Sequence, residues 1–304
     1  MIVPRGSHVA AQAMMGSKSE MAGTVTDRQM PIDVTAVRRL ILRHSRRANV
    51  GHIGSCLCVV EILAALYSGI LRTSPGRHPD RDRFVLSKGH AALALYSVLV
   101  MKGWLSESDL DSFCGDNSLF GVHPDAAVPI IDFSTGSLGQ GLGIAAGAAM
   151  AARIQGSARR AFCLISDAEC NEGAVWEAAM FASHHRLGNL RAVLDCNGQQ
   201  AFGLTREVMD PGDMAHRWRA FGWETDEVDG HSMEALSAAL SAPGAAAAPP
   251  KMIIAHTKFG RGVSYMERGE PLSQPHLARH RINWHYLPMS DSEFDLAMKD
   301  LDGQ

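Results

Sequence analysis

Ala161-Phe162-Cys163-Leu164-Ile165-Ser166-Asp167-Ala168-Glu169-Cys170-Asn171-Glu172-Gly173 opens the stretch that decides the fold, and Asp195-Cys196-Asn197-Gly198 closes it. Its first five residues are a continuous apolar run of strand length. A helical segment near 172–186 follows, then a second apolar run, Ala192 to Leu194, leading into Asp195. Strand, helix and strand in that order form a βαβ unit with parallel strands. Both polar clusters then emerge at the carboxyl ends of strands, where open α/β sheets bind ligands. Asp167 and Asn197 are therefore expected to face one site.

Reading outward, Met252 to Ala255 is a further buried strand, and Arg83-Phe84-Val85-Leu86 is a short one followed by a helix from about Gly89 to Lys102. Helical segments near 213–221 and 232–241 continue the alternation, and a last helix lies around Asp291 to Leu301. From Pro31, Val34, Val37, Leu40 and Ile41 make one apolar stripe, so an amphipathic helix runs to about Asn49-Val50-Gly51. A second helix is expected from about Leu57 to Leu71, and Arg72 to Asp82, with Pro75, Gly76 and Pro79, is a loop. The Ala/Pro tract Ser241 to Pro250 reads as a surface loop feeding one last strand. The expected fold class is α/β, a mostly parallel sheet with helices on both faces, in a single domain spanning 31–304. Residues 1–30 have no sustained periodicity. Val3-Pro4-Arg5-Gly6-Ser7-His8 is like a protease-cleavage remnant, so this segment is expected to be a disordered extension, native or not.

The chain has 304 residues, 46% of them hydrophobic, enough to bury a large core. Its 29 basic and 32 acidic residues leave a formal charge of −3, which offers no surplus for a phosphate backbone or an anionic bilayer. Nucleic acid and membrane are thus not expected partners. Neither Cys56 to Leu71 nor Gly141 to Ile154 reaches the roughly 20 strongly apolar residues of a membrane span. Six scattered cysteines without a Cys-x-x-Cys pair suit a reducing cytoplasm better than disulfides or structural zinc. Gly139-x-Gly141-x-Gly143 follows a loop, not a strand, and continues in small residues for close helix packing, against a dinucleotide site. Arg38, Arg39, Arg46 and Arg47 read as a solvated basic face.

A carboxylate oxygen from Asp167, an amide oxygen from Asn197 and a nearby backbone carbonyl are hard donors. They suit Mg²⁺ or Ca²⁺, with diphosphate oxygens and water completing the shell. The same residues also admit an ordinary reading: Asp at a strand end caps helices, and Asn-Gly makes turns.

Ser166-Asp167-Ala168, then Glu169, Asn171-Glu172-Gly173, Val175-Trp176-Glu177-Ala178-Ala179 and Asp195-Cys196-Asn197-Gly198 together resemble the thiamine-diphosphate motif of the transketolase family. That motif opens Gly-Asp-Gly and closes on Asn. Four further segments match in family order: Ala48 to Gly54, Leu86 to His90, Phe120 to Pro124 and Ser134 to Gly141. The resemblance is closest to N-terminal subunits of split transketolases. It implies that Asp167 and Asn197 ligate Mg²⁺, with the backbone carbonyl of Gln199, and that the metal holds the cofactor's diphosphate. By the same resemblance His90 meets the diphosphate, His52 and His123 line the substrate channel, and Gly136 and Leu138 lie beside the cofactor rings. Ala168 and Glu169 fall within the cofactor-binding motif. Glu172 and Glu177 align with acidic residues at a contact between subunits. A late catalytic histidine usually sits in Trp-His-Gly; this chain lacks that tripeptide, and His276 is the candidate, with His280 its rival. Ser166 and Ala168 replace both glycines of Gly-Asp-Gly. The added methyl at 168 is tolerable if φ stays negative and costly if it is positive.

Thiamine-diphosphate chemistry also needs a glutamate on a pyrimidine-binding domain, and no stretch of the sequence up to Gln304 corresponds to one. The expectation is a two-chain enzyme, α2β2, that passes a two-carbon ketol unit from a ketose to an aldehyde and is inactive without its partner. Two alternatives are the α chain of a 2-oxoacid dehydrogenase and a degenerate, non-catalytic binding protein.

Overall fold

The computed structural model describes residues 31–241, 247–268 and 283–303. Its strands, in chain order, are β1 (Arg83–Leu86), β2 (Ala161–Ser166), β3 (Leu190–Cys196), β4 (Gln199–Gln200), β5 (Gly203–Leu204), β6 (Glu224–Asp229) and β7 (Lys251–His256). Five of them make a parallel central sheet in the order β1-β2-β3-β7-β6, while β4 and β5 pair as a small antiparallel hairpin. The register pairs Ala161 with Leu190 and Ser166 with Asp195, so β2 and β3 end side by side. The parallel α/β architecture is as expected.

Alternation along the strands divides the core in two. Phe162, Leu164, Val193 and Ile253 face one layer, built on the Val34–Ala48 helix, the 53–70 run, the Ala92–Met101 helix and the Met233–Ser241 helix. Cys163, Ile165, Ala192, Leu194 and Ile254 face the other, under the Gly141–Ile154, Gly173–His184 and Met214–Ala220 helices. Strands covered on both faces read as unbroken apolar runs, which is why these were visible in sequence. Each fully buried Leu, Ile or Val contributes about 1.5–3 kcal/mol.

Three expectations are corrected. The strand Glu224–Asp229 was not foreseen, because it lies at the sheet edge with a largely solvent-facing, acidic sequence. The second helix starts at Ile53, not Leu57, and the described run Ile53–Ile70 is 18 residues of mean hydropathy 1.9, long and apolar enough to cross a membrane by length and composition. It is 83% buried inside the domain, and it is bent, with an α-helical turn at Ile53–Leu57, another helix at Val60–Ala65 and a π-turn at Leu66–Ile70. Finally, Arg38 does not belong to a solvated basic face, and the partly exposed Arg39, Arg46 and Arg47 are engaged with other elements. Arg38 is 3% exposed and donates to Glu61 at 2.5 Å. Arg39 and Arg46 pair with Asp302 and Asp291, fastening the Asp291–Asp302 helix, and Arg47 donates to the carbonyls of Leu110 and Asp111.

Candidate functional site

The carboxyl ends of β1, β2 and β3 open onto one cavity of about 530 Å³. His52, His90, His123, Gly136, Leu138, Ala168, Asn197 and Gln199 all line it, so segments from far along the chain meet as the motif order required. Asp167 lies directly behind Ala168, 1% exposed. Its carboxylate accepts from the amides of Ala168 at 2.9 Å and Gly198 at 3.0 Å, and from the Thr205 hydroxyl at 3.0 Å. Burial, with Asp195 nearby, pushes its carboxyl up to about 6. A cation there would relieve that penalty.

Asn197 is held from both sides: its Nδ2 donates to Asp195 at 2.8 Å, and its Oδ1 accepts the Gln199 amide at 2.8 Å. Asp195 and Lys88 form an ion pair with both side chains 0% exposed. Burial works against the charge on Asp195, but Lys88, with the donors of Thr257 and Cys58, holds its carboxyl below the ordinary range. Neither Lys88 nor Asp195 was singled out from sequence, although each lies inside a quoted motif.

Glu169 does not reach the cavity wall. Its carboxylate, fully buried, accepts from the Ser87 hydroxyl at 2.5 Å and from the amides of Gly139 and Ser166 at 2.9 Å each. It ties together the loops that form the wall. Ala168 begins the 3-10 turn Ala168–Asn171 and is not among the residues with positive φ, so its methyl carries no left-handed strain. This removes the steric motive for a degenerate site.

The other end of the cavity is built of imidazoles. His52 and His90 rings lie 5.3 Å apart, and His285 lies 5.6 Å from His52 and 5.4 Å from His90. Burial, followed by the proximity of His123, lowers His52; burial and then Lys88 take His90 well below its ordinary value; burial lowers His123. His285 is pushed down to about 4 by burial and then by His52 and Lys88. All four are neutral near pH 7, each with one donor and one acceptor nitrogen. His52 adopts φ 61, a left-handed backbone that its amide bond to the His285 carbonyl, 3.0 Å, helps to hold. Two glycines make room for this: a Cβ at Gly51 would sit 2.3 Å from the Tyr286 carbonyl oxygen, and one at Gly54 would sit 2.1 Å from the Phe259 ring.

His285 was not singled out from sequence. His276 and His280 lie outside the described residues, whereas His285 lines the cavity. The signal was present as Trp284-His285-Tyr286, two-thirds of the expected tripeptide with Tyr in place of Gly.

The donor set fits a hard cation and a diphosphate. Among the described residues no three His, Cys, Asp or Glu side chains form a metal-holding group. What lies together instead is the buried carboxylate of Asp167 and the amide oxygen of Asn197, hard donors suited to Mg²⁺ or Ca²⁺ rather than zinc. Buried atoms without a described hydrogen-bond partner cluster here as well, namely His52 Nδ1, His285 Nδ1, Gln199 Oε1 and Gln200 Nε2. A polar ligand is what satisfies such atoms.

Comparison with known proteins agrees with this geometry. The family model described as "Transketolase, thiamine diphosphate binding domain" matches residues 30–297. The chain is 39% identical over 232 residues to one of the subunits of the apulose-4-phosphate transketolase of Phocaeicola vulgatus, covering 76% of this chain and 83% of that protein. It is 38% identical over 234 residues to the 6-deoxy-6-sulfo-D-fructose transketolase subunit SqwG of a Clostridium species, covering 76% and 85%. Among solved structures, a Pichia stipitis transketolase variant in complex with fructose 6-phosphate superposes with a TM-score of 0.79 at 28% identity, over 91% of this chain and 41% of that one. The chain thus spans about two-fifths of that transketolase polypeptide. On the strength of the fold, the motif-bearing cavity and these matches, the chain belongs to the transketolase family, as an N-terminal, thiamine-diphosphate-binding domain of the kind found in the matching subunits of split enzymes.

Proposed function

We propose that this chain is the diphosphate- and Mg²⁺-holding half of a two-chain, thiamine-diphosphate-dependent transketolase. The enzyme transfers a two-carbon ketol unit from a ketose to an aldehyde, and needs a partner chain bearing the pyrimidine-binding domain, in an α2β2 assembly. The observation that carries this reading is the meeting, in one cavity, of Asn197, with the Asp167 carboxylate directly behind the wall, and an imidazole end at His52, His90, His123 and His285. Two apulose-4-phosphate transketolase relatives, from Phocaeicola vulgatus and Actinobacillus succinogenes, bear names that make each one subunit of its enzyme. The chain matches them over 83% and 92% of their own length, which supports the two-chain form. Exposed Phe202, Met209 and Tyr286 rim the cavity and suit burial against a second chain.

When bound, the cofactor supplies an electron sink for cleavage beside a ketose carbonyl. Asp167, Asn197 and the Gln199 carbonyl would hold the metal, and His90 would donate to the diphosphate. Lys88 fixes Asp195, which in turn orients Asn197. His52, His123 and His285, neutral and close together, bind sugar oxygens and accept or return protons at them. A cytoplasmic setting suits the six free cysteines.

The test is calorimetric titration with thiamine diphosphate and Mg²⁺, with and without a candidate partner, alongside a ketol-transfer assay. Asp167→Ala and Asn197→Ala are expected to abolish metal-dependent binding while the fold survives. Unchanged affinity in both removes the metal role. Robust transfer by this chain alone overturns the two-chain reading, and decarboxylation of a 2-oxoacid by the reconstituted pair would replace the reaction.

A further inference from the structure

At the amino ends of the same strands lies a second cavity of about 440 Å³ whose wall carries Arg72, Arg153, Arg159, Arg160 and Arg191. Arg160 immediately precedes β2 and Arg191 is the second residue of β3, so this cleft and the imidazole cavity are separated by the length of the strands, roughly 20 Å at about 3.3 Å per residue. In a chain of net charge −3, five guanidiniums gathered in one concavity are a local inversion of sign.

Their partners account for only part of that charge. Arg72 and Arg160 share one carboxylate, Asp82, at 2.8 and 2.6 Å. Asp82 is fully buried behind the wall, and no acidic side chain is among the described residues lining the cleft. Arg153 and Arg159 spend their hydrogen bonds on neutral acceptors: Arg153 on the His185 carbonyl, and Arg159 on the Pro79 carbonyl at 3.3 Å and the Gln155 amide oxygen. The Nε of Arg159 is buried without a described hydrogen-bond partner. Arg191, 2% exposed, is part of the buried wall: burial and then the like charge of Arg160 lower its pKa, while Glu224 and Asp82 oppose them. Guanidiniums do not escape such crowding by losing a proton, and their paired donors match phosphate oxygens. The volume is within the range of small-molecule sites and accommodates a phosphate-bearing ligand, not a bare ion alone.

We propose that this cleft is an anion site for a small metabolite carrying two phosphoryl groups, bound by Arg153 and Arg159 at the end of the sheet opposite the cofactor cavity. The ligand is either a nucleoside diphosphate or a bisphosphorylated sugar; the two share the chemistry the cleft recognises.

The experiment is calorimetric titration of the full chain carrying Asp167→Ala, in chelator, so that the cofactor cavity cannot hold the probe through a metal. Pyrophosphate, ADP and fructose 1,6-bisphosphate are the probes, with sulfate as the reference anion. One site per chain is expected, tighter for the diphosphoryl probes than for sulfate, weakened at least tenfold by Arg153→Gln/Arg159→Gln and weakened by added salt. A preference for ADP or for the sugar identifies the source. Circular dichroism and thermal melting establish that the variants are folded. No binding at millimolar probe, equal affinity in the double variant, equal affinity for sulfate, or displacement of every probe by a short oligonucleotide that binds far more tightly would each overturn the proposal.

Discussion

Replacing Lys88 by Met tests whether the buried ion pair is the beam that supports the cofactor cavity. Both partners are 0% exposed, so Asp195 has poor access to water once the ammonium is gone. The carboxylate would keep neutral donors alone, namely Asn197 Nδ2 at 2.8 Å, Cys58 Sγ at 3.2 Å and the Thr257 hydroxyl. Removing one member of a buried pair typically costs about 3–5 kcal/mol, because the surviving charge is left uncompensated. At roughly 2–4 °C per kcal/mol for a domain of this size, the melting temperature should fall by about 6–20 °C. Urea denaturation and calorimetric melting of Lys88→Met measure this directly. The companion variant Lys88→Met/Asp195→Leu removes both charges and should recover most of the lost stability, yet still bind the cofactor weakly because Asn197 loses its orienting carboxylate. If Lys88→Met lies within about 1 kcal/mol of wild type, or if the double variant is at least as unstable as the single one, the pair does not act as argued.

Three further outcomes are expected. Gly54→Ala, whose Cβ would lie 2.1 Å from the Phe259 ring, should destabilise the protein by about 1–3 kcal/mol in denaturant titrations by forcing the 259 loop away. In the reconstituted enzyme, His285→Asn should lower kcat/KM at least tenfold with cofactor affinity nearly unchanged, while His276→Asn retains activity; the reverse ranking would restore His276 as the late histidine. His285 has a folded-state value near 4 against an ordinary 6.5, so it contributes stability above about pH 6.5 that is lost as pH falls through 4. The gap of 2.5 at 1.36 kcal/mol per pH unit is about 3 kcal/mol, and wild type should lose that much relative to His285→Asn between pH 7 and pH 4; parallel pH profiles would contradict it.

The central strands were legible because Phe162 to Ile165 and Met252 to Ala255 are covered on both faces and carry nothing but apolar and sulfur side chains. Glu224–Asp229 was not, because an edge strand has one solvated face and its acidic residues satisfy it there. Asp167 and Asn197 could be placed because strand ends in a parallel sheet share one edge. The direction of Glu169 could not: it follows Asp167 by two residues, yet the 3-10 turn aims it inward at Ser87 and Gly139. Lys88 and Asp195 meet across 107 positions, a pairing that no local pattern encodes. His285 was hidden by one substitution, since Tyr286 erased the tripeptide while leaving the imidazole in place.

The main-chain bond from the His52 amide to the His285 carbonyl has a practical meaning. The two rings are indexed to each other by backbone, like marks on a shared ruler, and stripping either ring does not move the ruler. Ring-deletion variants at these positions should therefore report chemistry lost and not geometry disturbed, which makes this pair a clean place to dissect proton traffic by mutagenesis.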